Sequence, residues 1–197
     1  MDIDAVCRTL TGMGLADAVI LDTETTGLHP EWDDELLSLA IVDADGRRLL
    51  HSLVRPRRHE AWPQAQRVNG ISPAMVRDAP TADELNEVVS SLLSDEHVVV
   101  GFNLRFDLKF LLREGVITQS PQVTFDVMGE YARAHPRRVG RSPRGWTRLE
   151  EVARHYGIAF SAHDALEDAR ATAACFRALL GDEGYVRVVQ ARRGRER

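Results

Sequence analysis

Ala18-Val19-Ile20-Leu21-Asp22-Thr23-Glu24-Thr25-Thr26-Gly27 sets an unbroken apolar run directly against two acidic residues. A short continuous apolar run of this kind reads as a strand buried in the middle of a sheet. Asp22 continues the strand without an intervening turn residue. Residues two apart on a strand share a face, so Asp22 and Glu24 project together. Two carboxylates side by side at the end of a buried strand repel, and each has its charged form disfavoured unless a cation is shared. The bland alternative makes Asp22 the start of a turn and Glu24 a solvated side chain. The uninterrupted approach to Asp22 argues against it.

Working outward, residues 36–42 and 49–54 read as two further strands, and Asp45-Gly46 between them is a hairpin signal. The first three strands therefore form an antiparallel meander. The pattern then changes. Residues 81–94 carry Leu85, Val88, Val89, Leu92 and Leu93 at helical spacing behind a Thr81/Glu84 capping box. Residues 97–101 form an apolar strand and 104–114 a helix. A brief strand covers 123–126. A helix spans 147–156, opened by Thr147 with Glu150 and stopped by Gly157. Residues 165–180 form an alanine-rich helix. Three meander strands followed by strand–helix units give an α/β mixed sheet flanked by helices.

The chain has 197 residues, 44% hydrophobic and 28% charged, which fits one globular domain and excludes wholesale disorder. The expected organisation is an N-terminal segment over 1–15, the main domain over 16–182 and a basic tail over 183–197. No apolar run approaches the roughly 20 residues of a membrane helix. Residues 1–14 lack the apolar core of a signal peptide. Only Cys7 and Cys175 are present, which excludes a disulfide framework and a cysteine zinc site and fits a reducing, cytoplasmic setting without membrane contact. The net charge of −5 argues mildly against nucleic acid, but its distribution does not. Residues 131–149 hold six arginines and no acid, and Arg187, Arg192, Arg193, Arg195 and Arg197 close the chain.

Two more places carry acids where plain structure does not need them. Asn103 is placed to cap the helix over 104–114, which puts Asp107 at its fourth position near the positive end of the helix dipole. A cap and a favourable first-turn charge would explain both, so this signal is weak alone. His163-Asp164-Ala165-Leu166-Glu167-Asp168 opens the last long helix with Asp164 as cap. His163 and Asp168 then occupy the staple positions and lie side by side. A histidine at a helix start is usually plain surface; the other acidic motifs argue otherwise. Asp22, Glu24, Asp107 and Asp168 carry a formal charge of −4, which two divalent cations would cancel. All-oxygen ligands favour magnesium or manganese, and two such ions make the clamp for in-line attack on a phosphodiester. His163 is the candidate general base, histidine being the side-chain type suited to proton transfer near neutral pH.

The three motifs, in this order, resemble those of the DEDDh 3′→5′ exonucleases, the group that includes ribonuclease T-like enzymes and the proofreading epsilon subunit of bacterial DNA polymerase III. Residues 22–28, 103–107 and His163-x-Ala165-x-x-Asp168 carry the resemblance. Val68-Asn69-Gly70-Ile71-Ser72 resembles the group's short connecting motif, and residues 149–158 its leucine-to-glycine-isoleucine helix. The resemblance covers residues 18–180. It implies a ribonuclease H-like fold with a five-stranded mixed sheet. It implies Asp22, Glu24, Asp107 and Asp168 as ligands of two Mg2+ or Mn2+ ions and His163 as base. It implies a nucleic acid with a free 3′ end as substrate and nucleoside 5′-monophosphates as products. The terminal nucleotide would be held at Thr25, Leu28, Asn103 and Phe106, of which Thr25 and Phe106 also read as ordinary turn and core residues.

The sequence shows no clamp-docking segment and no long polymerase-binding extension, so a standalone repair or RNA-trimming enzyme is expected as readily as a proofreader. The rival readings are a binding module on this fold with catalysis lost, which the presence of all five site residues opposes, and an endonuclease, which His163 opposes through the resemblance. The arginines of 131–148, among Pro136, Gly140, Pro143 and Gly145, form either a phosphate-gripping loop or a solvated one.

Overall fold

The computed structural model describes residues 2–136 and 147–193. Arg137, Arg138, Arg141, Arg144, Arg195 and Arg197 lie outside the described residues.

Five strands form one sheet in the order β3-β2-β1-β4-β5: β1 (Ala18–Thr25), β2 (Leu36–Asp43), β3 (Arg48–Leu53), β4 (Val98–Gly101) and β5 (Thr124–Asp126). β1–β2 and β2–β3 are antiparallel, whereas β1–β4 and β4–β5 are parallel. The expected mixed sheet is therefore observed. In the β2–β3 hairpin, Asp43 Oδ1 accepts the N–H groups of Asp45 and Arg47, both at 2.9 Å, and Gly46 takes φ +80°. Glycine supplies that left-handed turn at no steric cost.

Strand alternation divides the core. Ile20, Ala40, Val42, Val98 and Val100 pack against α8 (Ala165–Gly181), whose small residues Ala169 and Ala173 are buried beside Phe176 and Leu179. Val19, Leu21, Leu39, Ile41 and Val99 face α4 (Asn86–Leu92) and α5 (Leu104–Arg113), burying Val89, Phe110 and Leu111. Between β3 and α4 run two short helices, α2 (Pro63–Asn69) and α3 (Pro73–Val76). They stand on a small cluster of Leu37, Trp62, Ile71 and Val76.

Several local expectations shift. The helix expected over 81–94 is a 3-10 turn, Ala82–Leu85, that runs into α4; the Thr81/Glu84 box is present, with Thr81 N–H donating to Glu84 at 2.7 Å. α7 (Leu149–His155) begins later than expected. Its cap is Arg148, whose N–H donates to Glu151 at 3.2 Å, so the acid that reaches back is Glu151 and not Glu150.

The ends are also folded further than expected. α1 (Ile3–Thr11) is capped by Asp2 and buries Cys7. The basic tail expected from residue 183 is instead α9 (Glu183–Arg193) as far as Arg193. α9 buries Tyr185, Val186 and Val189, and the Tyr185 hydroxyl donates to Glu130 on α6 (Val127–Ala134) at 3.0 Å. Apolar residues at positions i and i+4 outweigh the arginines around them. No described helix is long and apolar enough to cross a membrane.

Candidate active site

β4 pairs with β1 only over Ala18–Ile20. β1 runs on to Thr25, so Asp22 and Glu24 lie beyond the C-terminal end of β4, where the strand order changes direction. That crevice is where open α/β sheets bind ligands. Asp22 and Glu24 stand on the face shared with Ile20, toward α8, whose first turn brings Asp168. The first turn of α5 brings Asp107 from the other face.

Asp107 is buried, and its Oδ1 accepts a hydrogen bond from Thr23 Oγ1 at 2.7 Å. Asp164 caps α8 by accepting the N–H groups of Leu166 and Glu167 at 3.1 and 3.0 Å. His163, just before the cap, adopts φ +71° and donates its N–H to Asp168 Oδ2 at 3.1 Å. Asp168 Oδ1 is buried with no hydrogen-bond partner. Glu24, His163 and Asp168 each offer a ligand atom within 4.8 Å of the others.

Electrostatics ties in the rest of the cluster. Burial first, and then the charges of Asp107, Asp168 and Glu24, push Asp22 well above the ordinary carboxylate range. Burial followed by Asp168 raises Glu24 to about 7. Burial raises Asp107 to about 7, against the Thr23 hydrogen bond, and Asp168 to about 6, against the His163 N–H. Four acids disfavoured as anions, with one buried oxygen orphaned, are the donor chemistry of an oxygen-ligated divalent cation site.

Beside Glu24 opens a cleft of ≈ 450 Å³ between residues 24–29 and α2, lined among others by Leu28, Gln64, Val68 and Asn69. A Cβ at Gly27 would lie 2.3 Å from the Asp34 carboxylate, which holds the His29 N–H at 2.9 Å. Asn69 Nδ2 donates to the Thr25 carbonyl at 3.3 Å and links the two walls.

A family model described as exonuclease, of the RNase T type, matches residues 19–176. The chain belongs to the RNase T exonuclease family. An Escherichia phage 186 protein named as an uncharacterized exonuclease is 28% identical over 177 residues, covering 83% of this chain and 88% of that protein. A Mycobacterium tuberculosis protein named for exonuclease and endonuclease functions is 32% identical over 182 residues, but the chain spans only 27% of it. A PolC-type DNA polymerase III of Thermotoga maritima is 30% identical over 187 residues, with 13% of its length spanned. Among solved structures, exonuclease X in complex with 5′ overhanging duplex DNA has a TM-score of 0.64 and 25% identity, covering 85% of this chain and 93% of that one.

Within this exonuclease fold the expected site residues fall into two groups. The acidic residues and His163 converge on one crevice. Thr25 and Leu28 line the cleft, Thr25 buried with its hydroxyl on the Gly27 carbonyl at 2.5 Å and Leu28 71% exposed at the lip. Asn103 and Phe106 do not line it; Phe106 packs on Phe110 with ring centroids 5.0 Å apart. Asn103 is not a side-chain cap either. It adopts φ +61°, makes no cap hydrogen bond and donates its N–H to Asp126 Oδ1 at 3.0 Å. Thr23, Asn69 and Asp126 escape the sequence reading. Thr23 stands inside the first motif, Asp126 at the end of the last strand and Asn69 inside the short connecting motif, with no role read for any of them.

Proposed function

We propose that this exonuclease removes nucleoside 5′-monophosphates from the 3′ end of a polynucleotide, with Asp22, Glu24, Asp107 and Asp168 holding two Mg2+ or Mn2+ ions. The observation that carries the reading is the convergence of these acids from β1, α5 and α8, all raised above their ordinary range. When bound, the ions would supply positive charge at the scissile phosphate. The protein does the rest. Thr23 fixes the Asp107 carboxylate, and the His163 backbone fixes Asp168. The His163 imidazole, exposed beside Glu24 and Asp168, takes the proton of the attacking water. The cleft between Leu28 and Val68 receives the terminal nucleotide, with apolar side chains for its base.

DNA is the favoured substrate, because exonuclease X is seen on duplex DNA and several relatives are named as DNA polymerase III epsilon subunits. The test is a degradation panel with magnesium and with manganese, using end-labelled single-stranded DNA, a mismatched duplex, RNA and circular DNA. Mononucleotide release from linear DNA, abolished in Asp22→Ala, is expected. Digestion of circular DNA would overturn the exonuclease mode, and preference for RNA would make the chain an RNA-trimming enzyme.

A further inference from the structure

The outer face of α5 carries Arg105 and Lys109, one helical turn apart and therefore side by side. Both are exposed, and neither has an acid within ion-pair distance among the described residues. Arg113, one turn further on, is different and pairs with Asp33 at 3.4 Å. The Lys109 charge reaches Glu31, which is held below its ordinary value by a backbone hydrogen bond first, with the Lys109 charge adding to it.

The two cations line a groove of ≈ 400 Å³ between α5 and the strand β5, floored by Leu104, Leu108 and Leu112. Asp126, at the C-terminal end of β5, lines the groove together with Ser120 and Thr124. Arg105 and Lys109 stand on the outer side of α5, away from Asp107. The groove adjoins the site through Asp126, which lies close enough for its charge to act on Asp107. The crevice repels a polyanion, and a strand reaching it needs positive charge nearby. An unpaired cation pair along a groove with an apolar floor suits a phosphodiester backbone with its sugars.

We propose that Arg105 and Lys109 grip the phosphate backbone of the nucleic acid upstream of its 3′ end and feed that end into the crevice. This rests on the nuclease reading above and adds to it the path of the substrate.

The experiment compares Arg105→Ala, Lys109→Ala and the double variant with magnesium. The substrates are a single-stranded DNA oligonucleotide, a duplex with a recessed 3′ end, and the p-nitrophenyl ester of thymidine 5′-monophosphate. Each lost cation is expected to raise KM for the polynucleotides roughly three- to tenfold with little change in kcat. The salt dependence of kcat/KM on the single strand is expected to flatten by about 0.7 in log–log slope per residue. An effect on both polynucleotides places the contact on the degraded strand; an effect on the duplex alone places it on the complement. Unchanged KM and salt slope would overturn the proposal. So would an equal loss on the ester, which has no upstream phosphate and reports the crevice alone. Anisotropy of a fluorescein-labelled oligonucleotide reads the groove without catalysis. A chain that binds the oligonucleotide through these residues but digests nothing would sink the nuclease reading and leave the groove standing.

Discussion

Thr23 Oγ1 donates to Asp107 Oδ1 at 2.7 Å, joining the middle of β1 to the first turn of α5. The contact sets where Asp107 meets Asp22, and it opposes the burial that raises the Asp107 carboxyl. Thr23→Val keeps the shape and removes the donor. Asp107 then rises further, and the buried acceptor loses its partner at a cost of about 1–3 kcal/mol. The expected result is a lower Tm and a manganese titration of Tm whose midpoint moves to higher concentration. An unmoved midpoint would mean that Asp107 takes no part in holding the ion.

The pH dependence of metal binding follows from the same acids. Glu24 and Asp107 lie at about 7 and Asp168 at about 6, above their ordinary 4.5 and 3.8. The folded protein therefore binds more protons than the unfolded chain across that window. Its stability from these groups is full below the ordinary values and is lost as pH rises through the folded ones. A divalent ion needs the deprotonated forms, so its binding releases protons and strengthens over the same range. The rise in Tm on adding magnesium or manganese should be small near pH 5 and large near about pH 8. A shift of equal size at both would remove these carboxylates as ligands.

The sequence carried the sheet because the signals there are local. The run 18–21, the Asp45-Gly46 turn and the Thr81/Glu84 box are each decided by neighbouring residues, and all appear in the structure. The convergence of Asp22, Glu24, Asp107 and Asp168 became legible through motif order. What stayed hidden depends on contacts distant in sequence. Tyr185 gives no sign that its hydroxyl reaches Glu130, and so 183–193 read as a tail. Thr23 looks like a spacer until α5 packs beside it.

Asn103 shows a local rule giving way to such a contact. Its sequence position favours a side-chain cap, yet the Asp126 carboxylate takes both its N–H, at 3.0 Å, and that of Met128, at 3.1 Å. The backbone is held at φ +61°, and the Asn103 amide is left outside the cap. Asn103→Gly separates the two roles. Glycine suits this backbone, so stability should change by less than about 1 kcal/mol. If the amide contacts substrate, KM rises several-fold while Tm holds. Wild-type KM in the glycine variant would show that Asn103 serves the turn alone.

His163 is the sharpest test of the chemistry, because its position allows two roles. Its N–H is tied to Asp168 Oδ2, while its ring lies close enough to Glu24 and Asp168 to join them around an ion. A general base acts on a proton only in the transition state, whereas a ligand also holds the ground-state ion. His163→Ala should therefore lower kcat by roughly 10²–10⁴-fold and leave the metal-induced rise in Tm intact. Loss of the Tm rise together with activity would make His163 a ligand and assign the proton to another group.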